Sequence, residues 1–333
     1  MTDLGKIDRD VFREVISPSL GADRDDVALG PQHGVDFGVL EIGGRAVAIA
    51  TDPVSLLPEL GLERAGRLAL EIVLTDVAVS GIAPTHLAIS LTLPPDWSDE
   101  ELAAAWGGLA DHAERLGVSI VTGHTARYPG VDGSWVGGAT VLGVGDPGDV
   151  VRPDGANPGD DLVLTTGPAA ELTGLFATLF PAELGLDAET VATARERVDD
   201  IAAVADARAA FAAGDVTAMH DATEGGVAGG LAEMAAGAGV GFEIEADRVP
   251  VAPGVEAVCE AVGVDPWRVT SAGTLLIAVG SGDGPAVAEA VRENGTRAAV
   301  VGSVTAGEGV TVDGEAVDPP DSDPAWDAFD RLS

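Results

Sequence analysis

Apolar and polar positions alternate along residues 38–50 and break at Gly43-Gly44, the pattern of a β-hairpin that buries one face. The period then changes. Residues 62–80 are apolar nearly all round, and Leu68, Ile72 and Asp76 are spaced by four, which predicts a buried helix with those three on one face. His86–Leu93 reads as a strand closed by Pro94-Pro95, and Ser98 with Glu101 forms the capping-box pair that opens a helix to about Leu116. Val118–Val121 and Trp135–Val144 are further predicted strands. Pro147–Asp161, with three prolines and three glycines, marks a boundary between domains.

Beyond the boundary the grammar repeats. Residues 162–166, 241–246, 274–279 and 298–304 read as strands; 188–213 (largely), 228–236, 255–261 and 284–294 read as helices. The expected fold class is therefore α+β, in two domains covering 1–150 and 158–333, without a short-period repeat.

Four aspartates break this apolar pattern. Asp52 ends the run Ala46-Val47-Ala48-Ile49-Ala50-Thr51, and Asp76 interrupts an apolar stretch that resumes at Val77-Ala78-Val79. Asp221 follows Ala218-Met219-His220 and opens a Gly-rich turn, and Asp36 follows the loop after Gly30-Pro31. A carboxylate in apolar surroundings must be paired, neutralised or metal-bound, because desolvating it costs several kcal/mol. Lys6 is the only lysine, so bound divalent cations are the economical answer.

Composition supplies the counter-reading. The 333 residues carry 55 acidic against 18 basic side chains, net charge −37, with a pI of about 4.1. Such a surface is a solvated coat of the kind found in salt-rich cytoplasm, a halophilic signature. Asp23, Asp25, Asp26 and Asp160 are expected to belong to that coat. The same charge excludes nonspecific nucleic-acid binding, which needs clustered Lys and Arg. No apolar run is long enough for a membrane span, and Met1–Lys6 is unlike a signal peptide, so a cytoplasmic location is expected. Cys259 is the only cysteine, which excludes an intrachain disulfide; it falls on the stripe Val255, Val258, Cys259, Val262 of an ordinary helix core.

Two nucleotide fingerprints fail. A P-loop needs a lysine after its glycines, and Lys6 has no such loop before it. Gly143–Gly148 spells G-x-G-x-x-G, but Asp149–Pro153 cannot open the helix that the motif requires. Elsewhere, Gly123-His124-Thr125 is expected to offer amides and a hydroxyl to phosphates, with His124 as acid or base or merely bonded in a turn. Gly225-Gly226 would offer helix-end amides to an anion, or serve only tight packing. His33, His86 and His112 show no metal-ligand spacing.

Six segments, in order, resemble the aminoimidazole ribonucleotide synthase-related superfamily: Gly30–Asp36, Ala50–Pro53, Thr75–Pro84, Thr122–Gly130, His220–Gly226 and Gly263–Val279. They span the chain nearly end to end, and the resemblance is nearest to the archaeal HypE-like group. It implies a two-domain fold that dimerises through its N-terminal halves, with Mg-ATP between domains. It implies that Asp36, Asp52, Asp76 and Asp221 hold magnesium, that Thr51, Gly123, Thr125, Gly225 and Gly226 contact the nucleotide, and that His124 is catalytic. Val35 and Phe37 flank Asp36 where the family has acidic and small residues. The implied activity is Mg-ATP-dependent phosphorylation or activation of a small acceptor at an amide, carbonyl or phosphate oxygen, in a homodimer with a maturation partner. The alternatives are a thiamine monophosphate kinase-like enzyme and a non-catalytic nucleotide-binding scaffold. The final Phe329–Ser333 holds no cysteine to accept a carbamoyl group, as HypE proteins have.

Overall fold

The computed structural model describes residues 5–7, 9–131 and 135–333; the sequence reading of Met1–Leu4 falls outside these. After a helical turn, α1 (Arg9–Val11), the chain forms two compact units. One comprises Asp25–Gly30 and Asp36–Val150, the other the described residues of Met1–Arg24 with Pro31–Val35 and Val151–Ser333.

The first unit holds six strands: β1 (Val27–Leu29), β2 (Gly38–Ile42), β3 (Arg45–Ser55), β4 (Pro84–Leu93), β5 (Ser119–Arg127) and β6 (Trp135–Gly145). Their order is β1-β2-β3-β6-β4-β5, antiparallel except for the β4–β5 pair. The hairpin expected at residues 38–50 forms, with Gly38 opposite Ile49 and the turn at Gly43-Gly44. Helix α2 (Leu62–Ala78) has twelve buried residues, and α3 (Asp99–Leu116) begins with the expected capping box between Ser98 and Glu101.

The second unit contains β7 (Asp161–Thr165), α4 (Ala170–Leu179), α5 (Ala188–Arg195), α6 (Ala203–Ala213), β8 (Val216–Asp221), α7 (Gly226–Ala238), β9 (Gly241–Ile244) and α8 (Val255–Val262). It continues with β10 (Leu275–Val279), α9 (Gly284–Glu293), β11 (Ala298–Thr305), β12 (Gly309–Val312), β13 (Glu315–Ala316) and α10 (Pro324–Leu332). The sheet order is β13-β12-β9-β11-β7-β10-β8. All five residues of β10 are buried, as a central strand covered on both faces requires. One core joins the sheet to α7 through Leu231, Met234, Phe242 and Leu276; another joins α4, α5, α8 and α10 around Phe176, Phe180 and Val258. The α+β class is as expected.

Burial corrects one expectation. Asp160 is buried and accepts from Thr217 Oγ1 at 2.6 Å and the Asn157 amide at 2.8 Å, so it orders a turn instead of belonging to the solvated coat. Cys259 packs inside α8 as expected, and burial pushes its thiol up to about 12.

Candidate functional site

In the first unit, the residues singled out lie on a helix, on two strands and just ahead of a third strand. Asp76 is 6% exposed in the last turn of α2. A charge at that helix end also opposes the dipole, whose C-terminal pole is negative. Thr75 beside it returns its hydroxyl to the Glu71 carbonyl at 2.8 Å. Asp52 is half-buried on β3 opposite Ala139, and Thr51 meets Thr140 hydroxyl to hydroxyl at 2.9 Å. Asp36 is half-buried just ahead of β2.

Gly123, His124 and Thr125 form no strand-end turn. They sit inside β5, opposite Ile89, Ser90 and Leu91 of β4, because the strand predicted to end at Val121 continues to Arg127. All three are exposed, and His124 Nε2 lies 3.0 Å from the Tyr128 hydroxyl. As members of an edge strand, they pair on one side only.

The second unit places Asp221 at the end of β8, 4% exposed. Its Oδ1 is buried without a hydrogen-bond partner, and His220 Nδ1 lies 3.5 Å from it. The other ring nitrogen of His220 lies 2.8 Å from Glu233 Oε2. A buried carboxylate oxygen with no donor is costly unless a cation neutralises it, so this donor set fits magnesium, a hard ion that selects oxygen.

Gly225 and Gly226 depart from their expected role. The Gly225 amide donates to Asp323 Oδ2 at 2.9 Å, and the Gly226 amide to the Thr223 carbonyl at 3.0 Å. Neither amide is left for an anion. Glycine is required at 226 for packing: φ is +64°, and a Cβ would stand 2.5 Å from the Val269 carbonyl and 2.7 Å from that of Trp267.

Residues outside the sequence reading surround this loop. Glu171 is buried, and its carboxyl is pushed up by desolvation and by the nearby Asp323 and Glu224, although Thr270 Oγ1 at 2.6 Å and the Ala272 amide at 2.9 Å donate to it. Burial also raises the Asp323 carboxyl, against the amides of Ala325 and Gly225. The Lys6 amide donates to Glu224 Oε2 at 2.7 Å, and its Nζ lies 3.4 Å from Thr223 Oγ1. Glu171 follows Ala169-Ala170 and precedes Leu172, so the test applied to Asp76 would have found it. So many carboxylates repel phosphate unless divalent cations stand between.

Among the described residues, no helix is long and apolar enough to cross a membrane. Two family models match the chain: AIR synthase related protein, N-terminal domain, over residues 34–145, and its C-terminal domain over 157–315. A putative hydrogenase expression/formation protein of Methanocaldococcus jannaschii is 29% identical over 90% of this chain and 88% of that one. Carbamoyl dehydratase HypE of Escherichia coli is 29% identical over 91% and 88%. A solved hydrogenase maturation protein HypE in complex with ATP shares the fold, with a TM-score of 0.66 and 20% identity over 95% of each chain. With both domains matched in order around the carboxylates described, the chain belongs to the AIR synthase-related family.

Proposed function

We propose that this protein is a Mg-ATP-dependent enzyme that activates or phosphorylates an oxygen of a small acceptor, in the manner of its HypE-like relatives. The observation that carries the reading is the buried, donor-less Oδ1 of Asp221 in a loop crowded with carboxylates. Bound magnesium would neutralise phosphate charge and orient the γ-phosphate for in-line attack. Asp221 and the carboxylates Asp36, Asp52 and Asp76 are the oxygen donors we assign to magnesium, and Thr51, Gly123 and Thr125 to the nucleotide. His124 is the acid or base we assign, since it is exposed and its Nε2 is oriented by Tyr128. Gly225 and Gly226 shape the loop after Asp221 without lending their amides.

Cys259 is buried with its thiol pushed up to about 12, and so is no nucleophile. The exposed edge of β5, with Val121 55% exposed, supports a homodimer. The relatives' names, one of them a HypE-HypF complex, support a protein partner in hydrogenase maturation. The test is ADP release by the purified protein in high salt and magnesium, with a panel of amide, carboxylate and phosphate acceptors. ADP release stimulated by an acceptor and abolished in Asp221→Asn is expected. ATP binding with no ADP release across the panel would favour the non-catalytic scaffold.

A further inference from the structure

β8 ends on two neighbouring side chains of different donor chemistry, an imidazole and a carboxylate. Successive residues of a strand point to opposite faces. Yet His220 Nδ1 lies 3.5 Å from Asp221 Oδ1, and both residues are buried. An ion bonded to each atom at about 2.1 Å needs them about 3.0 to 3.4 Å apart, so one ion reaches both with little movement.

The other side of the ring sets its tautomer. His220 Nε2 lies 2.8 Å from Glu233 Oε2. An ionised carboxylate only accepts, so Nε2 carries the proton and Nδ1 presents its lone pair toward Asp221. Asp221 Oδ1 accepts no hydrogen bond, so the two are not joined as an ordinary imidazolium and carboxylate. A lone pair and a buried carboxylate oxygen at this distance repel unless a cation stands between them. Glu233 is placed as the carboxylates that orient histidine ligands in metal sites are. It is itself fixed: its Oε1 lies 3.7 Å from His33 Nε2, and a Cβ on Gly34 would stand 3.2 Å from Glu233 Cβ. All of these residues belong to the second unit.

An imidazole nitrogen changes which ion is held. Magnesium selects oxygen, whereas imidazole suits first-row transition ions. We propose that His220 Nδ1 is a ligand of the ion at Asp221, and that this place therefore prefers manganese, or a later first-row divalent ion, to magnesium. It rests on Asp221 as a metal ligand and goes beyond that assignment in naming a nitrogen donor and the class of ion. Magnesium bonds only the oxygen there and binds more weakly.

The experiment adds manganese alone, without nucleotide, to the full chain at constant KCl. Pulsed electron paramagnetic resonance reads the ligands of the bound ion, and calorimetric competition compares it with magnesium. A nitrogen coupling is expected, altered in protein grown on histidine labelled with heavy nitrogen. It should vanish in His220→Gln, which keeps a bond to Glu233 but removes Nδ1. Manganese should bind about tenfold tighter than magnesium in wild type, with that preference lost in the variant. Glu233→Gln should weaken manganese binding about tenfold, and serves if His220→Gln does not fold. Bound manganese without a histidine coupling, or a preference indifferent to both variants, would overturn the proposal and leave Asp221 as an oxygen ligand intact. No manganese bound to wild type would overturn it too, and the nucleotide reading then stands or falls on its own test with ATP.

Discussion

β5 and β8 are both edge strands, each with a histidine beside a residue expected to meet phosphate or metal, yet they meet opposite surroundings. Every residue of β8 except Thr217 is buried, and the turn at Pro153–Gly155 lies so close that a Cβ on Gly155 would stand 2.2 Å from the Thr217 carbonyl. In β5 only Ile120 and Ala126 are even half-buried, and Val121 is 55% exposed. An edge covered by its own unit can hold a carboxylate in low dielectric, where it binds cations strongly. An open edge presents unpaired backbone groups and is a template for another chain. The first suits chemistry and the second association.

The largest effect that would break this contrast is at Asp221. Asp221→Asn should weaken Mg-ATP binding by about 100-fold, roughly 2.7 kcal/mol, with apo stability unchanged or raised because a donor-less buried charge is removed. Calorimetric titration and thermal melts check both parts. Retained affinity would make Asp221 a structural residue. Asp76→Asn is expected to weaken Mg-ATP binding in the same way, since it too removes a buried charge from an apolar helix.

On the open edge, Val121→Arg should turn a dimer into a monomer, read by light scattering at micromolar protein and high salt. Wild type already monomeric would remove the proposed role of β5. Next in size is the response to salt. At about 0.01 M salt the Debye length of roughly 30 Å lets the surface charges repel across the molecule, so the melting temperature should rise by several degrees into molar KCl. A flat profile would contradict it.

How much was legible follows the range of the interactions. The capping box at Ser98 and Glu101 is local and was readable, as was the stripe through Val255, Val258, Cys259 and Val262. Asp76 was legible because its neighbours are apolar. α4 was not anticipated: it starts after Ala169 in a left-handed conformation without a side-chain cap, and Gly174 lies inside it because Val198 packs there. β8 was hidden because burying His220 and Asp221 contradicts an apolar strand pattern. The role of Gly225 depended on Asp323, about a hundred residues away, that of Gly226 on Val269 and Trp267, and the open edge of β5 on which strand lies beside it. No local pattern carries such information.

The smallest effect sharpens the electrostatics of the loop beside Asp221. The Glu171 carboxyl is raised by burial, so the folded state holds its proton to higher pH than the unfolded state does. Its contribution is therefore full below the ordinary carboxylate range and is lost as pH rises through the folded value. Glu171→Gln, which keeps an oxygen for Thr270 and Ala272, should raise the melting temperature at neutral pH, with the gap closing on acidification. A gap that persists below the ordinary carboxylate range would point to packing instead of charge.

The most direct test of the central claim replaces magnesium with manganese and follows bound metal by electron paramagnetic resonance, with and without ATP, in wild type and Asp221→Asn. The account predicts protein-bound manganese that tightens with ATP in wild type and is lost in the variant. Manganese binding identical in the two proteins, or ATP binding that needs no divalent ion, would contradict it.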